Sequence, residues 1–545
     1  MRTARTTAAT LFAALAVAAG AAACGDSGVT TARADQADGP SATTVDEAPS
    51  DPTDPRDNPP DPPVTAPDPP DTAPGDTTDG TGGARPPADD PFGWEEFMPD
   101  LVEGVETGLL EVPVDYDDPD GPTFELFVAR RLADDQANKI GTMLVNPGGP
   151  GFGGSDFAIY ADQVYAEPLL ERFDIVGWDP RGTGESEPAI DCIDDYDRYF
   201  AGTDITPDDE AERQQIVDLA EEFADQCVAK NEDYYAHVGT NNSARDMDAI
   251  REALGEDTIS YFGFSYGSEL GATWATLFPD TVRAAVLDGA ADPNAEGIEG
   301  SLQQTAGFEA TLTTYLAQCS DDPTCPFHNG GDAEGAFDEL MAALDEQPIP
   351  STPGRPDVTR GVALQAVAQA MYSESLWPQL SEALVAAQQG DGEGLLALWD
   401  SYYQRQPDGT WGNQLEAFQV ISCMDDPERL TVEEDDATAP EFQKIGPRFA
   451  PGTTGAYFCT FFPPSDDPRV EITGADAGPI VVIGTTGDAA TPLSSTRAMA
   501  DSLEEGRLVV VTADQHTGYG VNACVDQVVH EYLIDLVDPP AETEC

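Results

Sequence analysis

A serine between two glycines, Gly263-Phe264-Ser265-Tyr266-Gly267, closes the β-branched and aromatic run Thr258-Ile259-Ser260-Tyr261-Phe262. It leads into Leu270-Gly271-Ala272-Thr273-Trp274-Ala275, a composition that suits a helix. A strand turning this sharply into a helix holds the residue between them in a strained conformation and presents its side chain above the sheet. Gly263 and Gly267 are needed where strand and helix pass too closely for side chains. The helix N-terminus beneath the hydroxyl favours the negative charge that develops when it attacks a carbonyl. Gly-x-Ser-x-Gly alone is met often by chance, and the flanking strand and helix are what make Ser265 a candidate nucleophile of a hydrolase.

Such a serine needs a base that takes its proton near neutral pH, and imidazole is the usual choice. The chain has four histidines, His237, His328, His516 and His530. His516 sits late in the chain on the loop Thr512–Gly520, after a predicted strand, where the order Ser, Asp, His puts the base. His530 belongs to the apolar-periodic stretch 525–536 and reads as packing, whereas His237 and His328 read as surface or structural residues. The acid should follow the strand between the elbow and His516, and Gly487-Asp488-Ala489-Ala490-Thr491-Pro492 supplies Asp488 there. Its task would be to orient the imidazole and stabilise the imidazolium without taking the proton. Asp514 and Asp292 are the alternatives.

Another glycine-rich stretch, Asn146-Pro147-Gly148-Gly149-Pro150-Gly151-Phe152-Gly153-Gly154, follows the short apolar strand 141–145. A phosphate-binding loop would continue into Gly-Lys-Ser/Thr, and none follows. The remaining reading is a loop that donates an N–H to an oxyanion. In Asp179-Pro180-Arg181-Gly182-Thr183-Gly184-Glu185-Ser186, Asp179 and Arg181 are expected to tie the turn together by hydrogen bonds and an ion pair.

The elements that position these groups alternate between strand and helix patterns. Antiparallel strands are predicted over 109–114 and 123–129. Further strands fall at 141–145, 173–178, 258–264, 283–288, 479–484 and 507–511, with helices at 243–254 and 525–536. This alternation indicates a mostly parallel, doubly wound α/β sheet. Between 291 and 418 the pattern becomes helical, as in 361–372 and 379–389, and is expected to form a cap over the site; a helical domain away from it is the alternative. The expected divisions are core 91–290, cap 291–418, and a C-terminal core part 419–545 carrying the acid and the base.

The N-terminal region is different. Arg2 and Arg5 precede an apolar run from Ala8 to Ala23, the form of a secretory signal peptide, too short for a membrane span. Cys24 stands as in a bacterial lipobox, with Ala21 where leucine is usual, so 1–24 is expected to be a leader with lipidation at Cys24; ordinary cleavage near Ala23 is the alternative. Residues 25–90 are rich in Pro, Asp, Thr, Ala and Gly and cannot bury a core, which predicts a disordered spacer. The net charge of −77, with only three lysines, argues against binding nucleic acid or anionic membrane through a basic patch. Solubility and a saline or alkaline medium both account for it. Nine cysteines leave eight once Cys24 is set aside, an even set that suits an oxidising compartment. They allow on the order of a hundred pairings, of which neighbour with neighbour is preferred: Cys192–Cys227, Cys319–Cys325, Cys423–Cys459 and Cys524–Cys545. No Cys-x-x-Cys or clustered His/Cys spacing suggests a metal.

The four motifs at 146–151, 179–186, 263–267 and 487–492, in that order and spacing, resemble the secreted tripeptidyl aminopeptidases, a branch of the prolyl aminopeptidase family of α/β-hydrolase serine peptidases. The resemblance covers residues 91–545. It implies the α/β-hydrolase fold with a helical cap, Ser265 as nucleophile, Asp488 as acid and His516 as base. It also implies an oxyanion hole from the backbone N–H groups of Gly149 and Tyr266, disulfides like those above, peptide substrates and no cofactor. Any membrane association would run through an N-terminal lipid anchor. Pro147 departs from the family, which often has His before Gly-Gly-Pro-Gly, and Glu185 stands in a turn where other members differ. A carboxylesterase or lipase using the same triad is a second reading, and a non-catalytic peptide-binding surface lipoprotein a third. The sequence is silent on oligomeric state and on which cap carboxylate would bind a substrate amine.

Overall fold

Ile259–Phe264 has no polar face, and a strand of this kind is stable only when both sides of its sheet are covered. The computed structural model describes residues 90–98, 102, 104–207, 209–295 and 297–545, and in it all six residues of this strand are buried. The expected leader with Cys24, and all but the last residue of the expected spacer, lie outside the described residues.

The strands β1 (Glu95–Glu96), β2 (Val105–Pro113), β3 (Thr123–Arg131), β4 (Gly141–Asn146), β5 (Phe173–Trp178), β6 (Ile259–Phe264), β7 (Val282–Asp288), β8 (Ile480–Thr485), β9 (Gly506–Val511) and β10 (Glu542–Glu544) form one sheet. Their order is β1-β2-β3-β5-β4-β6-β7-β8-β9-β10. Pairing is antiparallel from β1 through β3 to β5 and parallel from β5 to β10.

The two-residue period of the strands sorts their side chains between two cores. Leu144, Tyr261, Leu287, Ile480 and Val482 pack on one face, and Met143, Val145, Phe262, Phe264, Val481 and Ile483 on the other. The elbow helix Tyr266–Leu277 and the helix Thr240–Leu254 pack on the first face, and the helix Ala523–Asp535 on the second. Thr240–Leu254 ends at Gly255, whose φ of 75° reverses the chain into the elbow strand.

Between β7 and β8 the chain is helical from Gly297–Asp321 to Ala450–Thr453, well past residue 418. Most of its helices share a separate apolar cluster that includes Leu312, Phe337, Val367, Leu384 and Trp399 and reaches Ala489 and Ala490 beside Asp488. The last long helix, Gln414–Asp425, packs instead with the sheet core through Val420, Ile421 and Met424.

Disulfides join Cys192 to Cys227, Cys319 to Cys325, Cys423 to Cys459 and Cys524 to Cys545. Four such bonds mark a chain that folds in an oxidising setting outside the cytosol. No described helix is long and apolar enough to cross a membrane.

The expected Asp179–Arg181 ion pair does not form. Arg181, fully buried, pairs with the equally buried Asp246 at 2.6 Å, and its remaining donors go to the Pro113, Val114 and His237 carbonyls. Asp179 instead accepts the N–H groups of Ser155 and Glu185. A guanidinium carries five donors, and two carbonyls at the end of β2, the His237 carbonyl and a carboxylate satisfy it better than one neighbour in its own turn.

Candidate active site

At the end of β6 the backbone of Ser265 takes φ 54° and ψ −126°, a conformation that costs an L-residue on the order of 1–3 kcal/mol. Two hydrogen bonds hold it there: its N–H donates to the Asp288 carbonyl at 2.8 Å, and its carbonyl accepts the Ser268 N–H at 2.8 Å. The turn closes only without a side chain at Gly263, where a Cβ would lie 2.3 Å from the Gly267 oxygen. The helix Tyr266–Leu277 starts directly after Ser265, so its positive end lies under the hydroxyl.

The glycine-rich loop leaves β4 and folds over this elbow. Asn146, itself buried, accepts the Gly148 N–H at 2.9 Å. A Cβ on Gly148 would lie 2.9 Å from the Ser265 Cβ and 3.0 Å from the Tyr266 nitrogen, so only glycine lets the loop approach. Gly149, Ser265, Tyr266 and His516 all line one cavity of about 2190 Å³.

β8 and β9 bring the other two groups together. The imidazole Nδ1 of His516 lies 2.9 and 3.0 Å from the two Asp488 oxygens. Asp488 is itself fixed by the Ala490 and Thr491 N–H groups, and the Thr491 hydroxyl bridges it to the Gly289 carbonyl. Burial would lower the imidazole pKa, but the Asp488 carboxylate beside it wins, and the net shift is upward. With Nδ1 committed to Asp488, Nε2 is the free atom, buried and without a hydrogen-bond partner. The Ser265 hydroxyl therefore does not bond to it in this state, although the imidazole Cε1 would come within 3.1 Å of a Cβ on Gly289, next to the residue that holds the Ser265 N–H. Catalytic hydrogen bonds are often loose without substrate and tighten in the complex.

The alternatives lie elsewhere. Asp292 bonds to Asn294 and Gln303, and Asp514 packs beside Gly487. His530 meets the Tyr519 hydroxyl at 3.0 Å, and His328 meets the Cys319 carbonyl at 3.0 Å.

Three contacts of the site were not read from the sequence. Tyr372, from the helical insertion, accepts the His516 N–H through its carbonyl and sets its ring edge-to-face on the imidazole. Nothing local announces it. Thr491, three residues after Asp488, follows the familiar pattern of an aspartate bonding the backbone just ahead of it. Asp288 is an acid closing the apolar run Ala284–Leu287, and a charge in that place was a signal available in the sequence.

A family model described as the alpha/beta hydrolase fold matches residues 141–523. The chain is 36% identical over 464 residues to a serine protease, Hip1, of Mycobacterium tuberculosis, covering 81% of this chain and 87% of that one. It is also 36% identical over 469 residues to a carboxylesterase B of the same organism, covering 83% and 88%. Tripeptidyl aminopeptidase of Streptomyces lividans is 28% identical over 458 residues, covering 81% and 84%. With a doubly wound sheet, a serine at the strained turn after its central strand and relatives of this kind over most of its length, the chain belongs to the alpha/beta hydrolase family and is an enzyme, a serine hydrolase.

Proposed function

We propose that the chain is an extracytoplasmic serine peptidase that releases short peptides from the N-termini of its substrates, with Ser265 as nucleophile, His516 as base and Asp488 as acid. In this mechanism His516 Nε2 takes the Ser265 proton as the hydroxyl attacks the scissile carbonyl. The Gly149 and Tyr266 N–H groups hold the oxyanion, a contribution of roughly 3–4 kcal/mol per donor. The imidazolium returns the proton to the leaving amine, and water hydrolyses the acyl-enzyme by the same route in reverse. The observation that carries the reading is the oriented imidazole. Its Nδ1 is held by Asp488 and its Nε2 is unpartnered, in the wall of the cavity that Ser265 also lines.

The size of that cavity supports a peptide rather than a small ester, since pockets for drug-sized ligands run to about 1,000 Å³. Its wall carries several carboxylates: Glu269 and Asp400 pair with Arg469 and Arg355, Asp425 accepts from Thr240, and Asp156 suits a substrate α-ammonium. In this reading the helices between β7 and β8 act as a cap that excludes water, and their cluster reaches Ala489 and Ala490 next to the acid. The Arg2/Arg5 and Ala8–Ala23 pattern supports export, with acylation at Cys24 as the anchor. Mass spectrometry of the mature N-terminus tests that part.

A carboxylesterase is the second reading, supported by the relative of that name at equal identity. Hydrolysis of an N-terminally free tripeptide anilide, its N-acetylated form and a short acyl ester separates the two. The aminopeptidase reading expects cleavage of the free anilide and strong loss on acetylation; preference for the ester overturns it. Fluorophosphonate labelling of Ser265, and loss of turnover in a folded Ser265→Ala, test the nucleophile and decide against a peptide-binding protein without catalysis.

A further inference from the structure

The carbonyl of Asp288 accepts the Ser265 N–H at 2.8 Å. Its carboxylate, fully buried, divides its two oxygens between two N–H groups of the histidine loop: Oδ1 accepts from Gly518 and Oδ2 from Tyr519, each at 2.8 Å. The next residue continues the pattern. The Gly289 carbonyl accepts the Thr491 hydroxyl, which also bonds Asp488, and the absent side chain of Gly289 leaves the space against which the His516 ring lies. Elbow, acid loop and base loop come from β6, β8 and β9, and the junction where they meet is the end of β7.

We infer that Asp288 is a positioning residue, which sets the His516 loop against the Ser265 elbow so that imidazole and hydroxyl stay in register. The inference rests on the assignment of Ser265 and His516 as nucleophile and base. Asp288 is not a rival for the acid's role, because Nδ1 of His516 is held by Asp488 and both Asp288 oxygens are occupied by backbone donors. A carboxylate is suited to this position because it accepts at both oxygens. Asparagine would present an NH₂ group to one of the two N–H donors, and that side of the loop would move away. Displacements of about 1 Å at a reacting pair cost on the order of a hundredfold in rate.

The test compares wild type with Asp288→Asn, using the tripeptide anilide and a fluorophosphonate probe. The expected result is a kcat lowered about 10- to 100-fold, with KM within about twofold. Probe labelling of Ser265 should slow in parallel, while the final labelled fraction and the near-ultraviolet circular dichroism match wild type. A folded Asp288→Asn with wild-type kcat and labelling rate overturns the inference, as does a change confined to KM. Wild type that the probe fails to label at Ser265 overturns the nucleophile assignment itself, and with it this inference. If the variant does not fold, hydrogen exchange of wild type reads the same bonds. Protection of the Gly518 and Tyr519 amides comparable to β7 supports the inference, and fast exchange there with β7 protected overturns it.

Discussion

The Tyr372 carbonyl accepts the His516 N–H at 3.0 Å, and the Tyr372 ring stands edge-on to the imidazole with centroids 5.3 Å apart. The adjacent residues, Ser373 and Gln515, form a β-bridge, so the helical insertion grips the histidine loop directly. Only the carbonyl survives truncation of the side chain. Edge-to-face pairs are worth about 0.5–1.5 kcal/mol, so Tyr372→Ala is expected to lower kcat/KM roughly 2- to 12-fold. Tyr372→Phe, which keeps the ring, should stay near wild type. Equal activity in both variants would mean that the ring does not hold the imidazole.

In the proposed mechanism, replacing Asp488 by asparagine removes the charge that orients and stabilises the imidazolium, and a drop in kcat of about 10⁴-fold is expected by analogy with other triads. The pH profile gives a separate reading. Burial lowers the His516 pKa and the Asp488 carboxylate raises it further than burial lowers it, so the group titrates above the ordinary imidazole value. Imidazole must be neutral to accept a proton. Activity of wild type should therefore fall with acidification through a pKa above about 6.5, and this limb should move to lower pH in Asp488→Asn. An unmoved limb would assign it to another group.

The order of the candidate groups along the chain was legible in the sequence because each part is local. Gly-x-Ser-x-Gly after an apolar strand, glycines after β4, and an acid and a histidine after β8 and β9 need only neighbouring residues and chain order to be found. Contacts made across the fold were not legible. Arg181 has Asp179 two residues away and chooses Asp246, 65 residues distant; Tyr372 reaches His516 from an insertion whose packing no periodicity specifies. The C-terminal strand β10 is three residues long and pairs with β9 in parallel, too short for an alternation to register. The change to a helical pattern after β7 is legible because helix periodicity is local, but periodicity does not say which core a helix joins: Gln414–Asp425 looks like its neighbours and packs on the sheet core.

The Arg181–Asp246 pair has no solvent exposure on either side. Removing one partner leaves the other charged, buried and unpaired, and Asp246→Ala is expected to cost about 3–5 kcal/mol of stability, read by chemical denaturation. The Tyr116 hydroxyl also bonds Asp246, at 2.8 Å. Tyr116→Phe removes this neutral partner while the ion pair stays, and should cost about 0.5–1.5 kcal/mol. A loss in Tyr116→Phe equal to that in Asp246→Ala would show that the ion pair is not the dominant element of this cluster.

Stability should rise on mild acidification, contrary to the habit of proteins that rely on ionised carboxylates. Burial is the cause at two carboxyls that line the cavity. It pushes Asp425 up to about 6, opposed by Arg469, and Asp156 up to about 6, reinforced by Asp179 and Glu185. A carboxyl whose pKa is higher folded than unfolded holds its proton in the native state over the interval between the two. Its stabilisation is complete below the unfolded value of 3.8 and is lost as pH rises through about 6. His516, also raised, has the same sign at higher pH. Each proton retained adds about 1.4 kcal/mol per pH unit to the slope, and easing the repulsion of a chain with net charge −77 acts in the same direction. Tm measured by calorimetry should therefore be higher at pH 5 than at pH 8, and Asp156→Asn, which removes one of these ionisations, should flatten the slope. A Tm that climbs from pH 5 to pH 8 would mean that these carboxyls are ionised and satisfied in the folded chain.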